Sequence, residues 1–138
     1  MIVADTNVIS ELMRAVPEPA VVNWVHGIAD NLFVTTITIA ETEYGIERLP
    51  DGRRKNTLRS DAHDVLESFA DQVLPFDFRA AVHFGDLFAA RERAGRPIAP
   101  FDAQIAAICR ANRATLATRN IKDFEHIGID LVDPWTHD

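Results

Sequence analysis

Ile2-Val3-Ala4-Asp5-Thr6-Asn7 sets the pattern for the whole chain. Ile2, Val3 and Ala4 make a short run that is apolar at every position, and an acid ends it. A strand with no polar face is one covered on both sides, as in a parallel sheet. Thr6 or Asn7 is available to cap a helix that follows. The unit recurs along the chain. Leu32-Phe33-Val34-Thr35-Thr36 is β-branched and apolar, a second buried strand. Between the two, Val21, Val22, Trp24, Val25 and Ile28 recur at helical spacing after Pro17 and Pro19. From Thr38 to Leu49 the pattern is helical again, and Pro50-Asp51-Gly52 closes it.

The second half repeats the alternation. A polar helix is predicted over Arg53 to Asp71, then a third strand at Val73-Leu74-Pro75-Phe76, weakened by its proline. Residues 78–93 are helical and end at Gly95-Arg96-Pro97. Phe101, Ile105, Ile108 and Cys109 repeat at i, i+4, i+7 and i+8, a buried stripe on a helix opened by Pro100 and Asp102. Thr115-Leu116-Ala117-Thr118 is a fourth strand and Asp130-Leu131-Val132 a fifth. Strands alternating with helices, without repeat or linker, predict a single α/β domain over residues 1–138 with a parallel sheet covered on both faces.

Composition narrows the classes. With 47% hydrophobic and 25% charged residues, the 138-residue chain is neither disordered nor fibrous. A single cysteine excludes a disulfide framework and a thiolate zinc site, and suits a reducing cytosol. There is no basic leader and no apolar run of the roughly 18 residues that span a bilayer, so a cytoplasmic protein without membrane contact is expected. The net charge of −7 argues at first against a nucleic-acid partner. Its distribution argues otherwise. Residues 53–59 hold four bases and no acid, and residues 91–122 hold seven bases against two acids. Twelve of the fourteen bases are arginine, which suits bidentate phosphate contacts.

Ligands of open parallel sheets bind at the carboxyl ends of the strands. Asp5 ends the first strand, Glu41 lies in the first turn after the second, and Asp123 follows the fourth by a short loop. Asp102 opens the helix leading into that fourth strand. Each has a plain alternative: Asp5 and Asp102 as helix caps, Glu41 as a partner of the helix dipole, Asp123 as a turn residue. Four converging carboxylates would repel one another unless a hard divalent cation neutralised them, and Mg²⁺ or Mn²⁺ suits an all-oxygen set. His26, His63, His83, His126 and His137 are scattered and show no ligand spacing.

Taken together, Asp5-Thr6-Asn7 after a strand, Thr38-x-x-Glu41-x-x-x-Gly45, Asp102-x-x-Ile105-Ala106-Ala107 and Thr118-Arg119-Asn120-x-x-Asp123-Phe124 resemble the motifs of PIN-domain ribonucleases. Within them the chain resembles the VapC toxins, above all the FitB-like branch, from residue 1 to about residue 133. The resemblance implies a three-layer α/β/α fold with about five parallel strands. It implies metal-dependent endonucleolytic cleavage of RNA to a 5′-phosphate and a 3′-hydroxyl. Asp5, Asp102 and Glu41 match the family's metal-binding acids, and the fourth position falls on Asn120 or Asp123, with Asp123 preferred. Thr6, Asn7, Thr118 and Asn120 are then partners that orient the acids, and Gly45 allows close helix packing. Arg119, Arg96 and Arg113 are candidates for the RNA backbone. A homodimer and a small cognate antitoxin with an arginine-bearing tail complete the expectation, with Trp24, Phe84 or Phe88 available for interfaces.

Two other classes compete. A haloacid-dehalogenase-type phosphohydrolase also begins with an aspartate after its first strand, but it needs a second one where this chain has Asn7. A non-catalytic PIN-like protein-binding module would be marked by lost acids, and here they are present.

Overall fold

The structure, a computed structural model, describes residues 1–136, so His137 lies outside the described residues. Five strands, β1 (Ile2–Ala4), β2 (Leu32–Thr35), β3 (Val73–Leu74), β4 (Thr115–Ala117) and β5 (Leu131–Val132), form one sheet in the order β3-β2-β1-β4-β5. Every pairing is parallel. The helices are α1 (Thr6–Leu12), α2 (Pro19–Ile28), α3 (Thr36–Glu47), α4 (Arg53–Glu67), α5 (Phe78–Arg93) and α6 (Pro100–Asn112), with 3₁₀ turns at Ala29–Asn31 and Ile121–Phe124. No helix among the described residues is long and apolar enough to cross a membrane.

Alternation along the three central strands divides the core in two. Val3, Phe33 and Leu116 face one way, against Leu87 of α5 and Ile105, Ala106 and Cys109 of α6. Ala4, Leu32, Val34 and Ala117 face the other way, against Val8 and Ile9 of α1 and Val21 and Val25 of α2. Both faces of β1, β2 and β4 are thus covered, which is why these runs carry no charged residue and are apolar apart from Thr35 and Thr115 at their ends. This is the expected three-layer α/β/α arrangement. Leu116, fully buried at the centre of β4, anchors the α6 side. Leu116→Ala is expected to cost about 2–5 kcal/mol in denaturant unfolding, a large share of the roughly 5–15 kcal/mol that holds such a domain.

Local differences from the sequence expectation have identifiable causes. α3 starts at Thr36 because the Thr35 hydroxyl accepts the Thr38 N–H at 3.1 Å and caps the helix. α4 stops at Glu67, short of Asp71, because Phe69 turns into the core. β3 ends at Leu74, since Pro75 has no N–H to extend the ladder. Phe101 is 46% exposed rather than part of the stripe, whereas Ile105, Ile108 and Cys109 are fully buried. Burial pushes the Cys109 thiol well above its usual range, which leaves it inert.

Candidate functional site

The strand order reverses between β1 and β4, so their carboxyl ends open the crevice in which doubly wound sheets bind ligands. Asp5 sits at its base, 4% exposed, with its N–H bonded to Ala117 O at 2.9 Å. Its Oδ1 accepts the Thr6 N–H at 2.8 Å, so Asp5, rather than Thr6 or Asn7, caps α1. Oδ2 accepts the Thr118 hydroxyl at 2.8 Å and the Asn7 amide at 3.4 Å. The cap and the site are therefore one residue. Burial nonetheless holds the Asp5 carboxyl above the usual carboxylate range, with the charge of Asp123 adding to it.

Glu41 lies in the second turn of α3, not the first, because the helix begins earlier than the sequence pattern suggests. The Thr6 hydroxyl donates to its Oε1 at 2.8 Å. A hydroxyl has one proton, so Thr38, 3.0 Å from Thr6, must donate to it, and Thr35 donates in turn to Thr38 at 3.4 Å. Thr35 and Thr38 are fully buried. This directional chain of three threonines fixes the Glu41 carboxylate, and of its members only Thr6 was legible as an orienting residue. The threonine-rich run Thr35-Thr36-Ile37-Thr38 was the available signal. Burial raises the Glu41 carboxyl, and Asp5 raises it further.

Asp102 is the third residue of α6, whose cap position is Ala99, so it spends no hydrogen bond on capping. Its carboxyl is pushed up to about 6, first by burial and then by the charges of Asp5, Glu41 and Asp123. Those mutual effects show that all four acids share one electrostatic site. Asp123 stands on the 3₁₀ turn after β4, and its charge acts on both Asp5 and Asp102. Asn120 instead donates its backbone N–H to the Thr118 hydroxyl at 3.0 Å. Among the described residues no lysine, arginine or histidine forms an ion pair with any of the four.

A hard divalent cation fits this donor set. The donors are all oxygen, they are mutually repulsive, and among the described residues no lysine, arginine or histidine pairs with them. Among the described residues no three metal-ligating side chains stand in a ready-made cage. Mg²⁺ does not need one, because it keeps several waters and takes one or two carboxylates.

The arginines divide sharply. Arg119 is exposed beside the crevice, its N–H directed at Asn7 Oδ1 at 3.4 Å and its guanidinium 5.0 Å from the centre of the Trp135 ring. Arg96 is exposed in the loop before α6. Arg113 ends α6 in a left-handed conformation (φ 54°), at the opposite end of that helix from Asp102. The basic block at 53–59 is half consumed internally: Lys55 pairs with Asp51 at 3.3 Å and Arg59 with Glu47 at 2.7 Å. Gly45 has nothing within 4 Å of where a Cβ would stand, so close packing does not explain it. It borders an open groove of about 350 Å³ that it shares with Glu41, Met13 and Leu58. Trp24, Phe84 and Phe88 pack against the core. The exposed large apolar side chains include Phe78 and Val82 of α5, 84% and 60% exposed.

Comparison with known proteins identifies the family. Residues 2–129 match the PIN domain family. The chain is 39% identical over 137 residues to VapC ribonuclease Y4jK of Sinorhizobium fredii, covering 98% of each. It is 35% identical over 140 residues to Toxin FitB of Neisseria gonorrhoeae, covering 100% of each. The crystal structure of FitAcB from Neisseria gonorrhoeae superimposes with a TM-score of 0.89 at 34% identity, covering 99% of this chain and 100% of that one. By the family match over most of its length and by these two relatives, the chain belongs to the PIN-domain family, in its VapC/FitB branch.

Proposed function

We propose that this chain is a divalent-metal-dependent endoribonuclease, the toxin of a toxin–antitoxin pair, and that residues 1–138 act as one cytoplasmic domain. The observation that carries this is the gathering of Asp5, Glu41, Asp102 and Asp123 at one switch point, with no ion-pair partner for any of them among the described residues. These four would hold Mg²⁺ or Mn²⁺. When bound, such a cation supplies an acidified, oriented water and offsets charge on the scissile phosphodiester. Asp5 is the rigid member, tied by Thr6, Thr118 and Asn7. Glu41 is aimed by Thr6, and Asn120 steadies the Thr118 hydroxyl that holds Asp5. Asp102 is half-buried, as Glu41 is, and Asp123 is the exposed member of the four. Cleavage would leave a 5′-phosphate and a 3′-hydroxyl.

Arg119 and Arg96 meet the RNA backbone beside the acids, and Arg113 meets only a strand long enough to reach the far end of α6. Arg119→Ala is expected to lower the slope of log affinity against log salt by about 0.7, one single-strand phosphate contact. An unchanged slope removes Arg119 from that role. The partners are a small antitoxin, whose arginine-bearing tail would pair with the acids in place of the cation, and a second copy of the chain. The phosphohydrolase reading lacks its second acid: Asn7 instead binds Asp5 and Thr118, the latter at 3.3 Å. The test is cleavage of total RNA with Mg²⁺ or Mn²⁺, with and without EDTA. Metal-stimulated cleavage that stops in EDTA supports the nuclease; cleavage indifferent to EDTA refutes it.

A further inference from the structure

We propose that a second cavity, on the α5–α6 face, is a nucleotide-binding pocket that holds one residue of the RNA strand next to the cleavage site. The proposal rests on the nuclease reading for the identity of the strand, but the pocket itself stands on separate residues. The cavity measures about 450 Å³ and lies between the end of α5, the last turn of α6 and the loop 125–128. That volume falls within the range of small-molecule sites. Leu87 and Ile127, both nearly fully buried, form an apolar floor on which a base can rest. Arg91, Arg96 and Arg110 line it against one acid, Glu125.

Arg91 is the decisive residue. It is only 9% exposed, yet among the described residues no carboxylate lies within ion-pair distance of it. Its Nε donates to Arg96 O at 2.6 Å, and its Nη1 donates to Asp123 O at 3.1 Å and Glu125 O at 3.5 Å. These carbonyls satisfy donors but cancel no charge. A buried charge without a counter-ion is costly, and it favours an anion in the adjoining cavity. Arg110 supplies a second guanidinium, held at 2.6 Å by Asp86. Glu125 faces His126 at 3.9 Å. The wall is itself unusual: His126 (φ 64°) and Gly128 (φ 80°) both take left-handed conformations, and a non-glycine residue keeps that only where its surroundings demand it.

The bond from Arg91 to the Asp123 carbonyl ties the pocket to the turn that carries one of the four acids. A phosphate seated at the arginines and a base on the Leu87–Ile127 floor therefore belong to a strand already passing the acid cluster. An acidic peptide would use the arginines but leave the apolar floor empty, which is why a nucleotide is the better occupant.

The test uses the full-length protein in EDTA, so that cation binding plays no part. Each of the four nucleoside 5′-monophosphates, inorganic phosphate and a glutamate-rich peptide is titrated while backbone amide NMR shifts are followed. At least one nucleotide is expected to shift amides of Ala90–Arg96 and Glu125–Gly128, and to bind about tenfold more tightly than phosphate. Ala94→Phe, which fills the cavity from the exposed side of the chain, and Arg110→Gln, which avoids the buried Arg91, should each weaken it about tenfold. In RNA cleavage Ala94→Phe should raise KM and leave kcat unchanged. Phosphate or the peptide binding as well as every nucleotide, or no shifts at these amides, overturns the pocket. Nucleotide binding there with an unchanged RNA KM overturns its place on the substrate strand. Neither result bears on the metal-dependent cleavage itself, which the EDTA comparison reads separately.

Discussion

Asp5→Asn is expected to lower RNA cleavage at least a hundredfold while the protein stays folded. The substitution keeps the shape and removes one charge. The amide oxygen still accepts the Thr6 N–H, so α1 keeps its cap, which would otherwise be worth about 1 kcal/mol. The Thr118 hydroxyl already accepts the Asn120 N–H at 3.0 Å and the Asn7 amide at 3.3 Å, so the new amide meets donors at both Thr118 and Asn7, a cost that relief of the buried charge offsets. A carboxylate at 4% exposure is costly to ionise, so its loss does not destabilise the metal-free fold. Catalysis, by contrast, loses its best-ordered ligand, and a metal's stabilisation of transition-state charge is worth several kcal/mol at about 1.4 kcal/mol per tenfold. Cleavage of a labelled RNA and thermal unfolding, measured together, check both halves.

Asp102 gives the second large effect, on the metal-free protein. Its folded carboxyl titrates at about 6 against an ordinary value of 3.8. A raised acid pKa means that the folded state binds more protons than the unfolded one between those values. Its contribution is therefore complete below about pH 4 and is lost as pH rises through about 6. A shift of about two units is at most about 3 kcal/mol, and because Asp102 is only half buried, screening reduces this to about 1 kcal/mol. Glu11 and Glu47 are shifted down, so their contributions run the opposite way with pH. The comparison that isolates Asp102 is wild type against Asp102→Asn. Without metal, the variant should gain about 3–4 °C in Tm relative to wild type between pH 4 and pH 7. With Mn²⁺ at about a hundred times its Kd, wild type should gain about 2.7 kcal/mol and the variant far less.

What the sequence could show follows from how local each feature is. β1, β2 and β4 were legible because both their faces are buried, which leaves no charged residue in the run and only a terminal threonine in β2 and β4. Asp5, Glu41 and Asp102 were legible because strand ends and helix starts place them at one edge of the sheet. Glu41 shifted by a turn because a capping hydroxyl, Thr35, moved the helix start, and short β-branched runs do not announce which threonine caps. Arg91 was invisible as anything but one more base: its role depends on carbonyls of Asp123 and Glu125, more than thirty residues away in sequence. The basic block at 53–59 differs in that its acids are near in sequence: those that pair with Lys55 and Arg59 come from the end of α3 and the following turn, and only the helix–turn–helix geometry shows that they meet.

The claim at the centre is that four carboxylates form one cation site, and calorimetric titration of Mn²⁺ into the metal-free protein measures it without any knowledge of the RNA target. Wild type should show saturable binding that is abolished in Asp5→Asn and weakened at least tenfold in Asp102→Asn. Binding of equal strength in wild type and both variants would place the cation elsewhere and contradict the site.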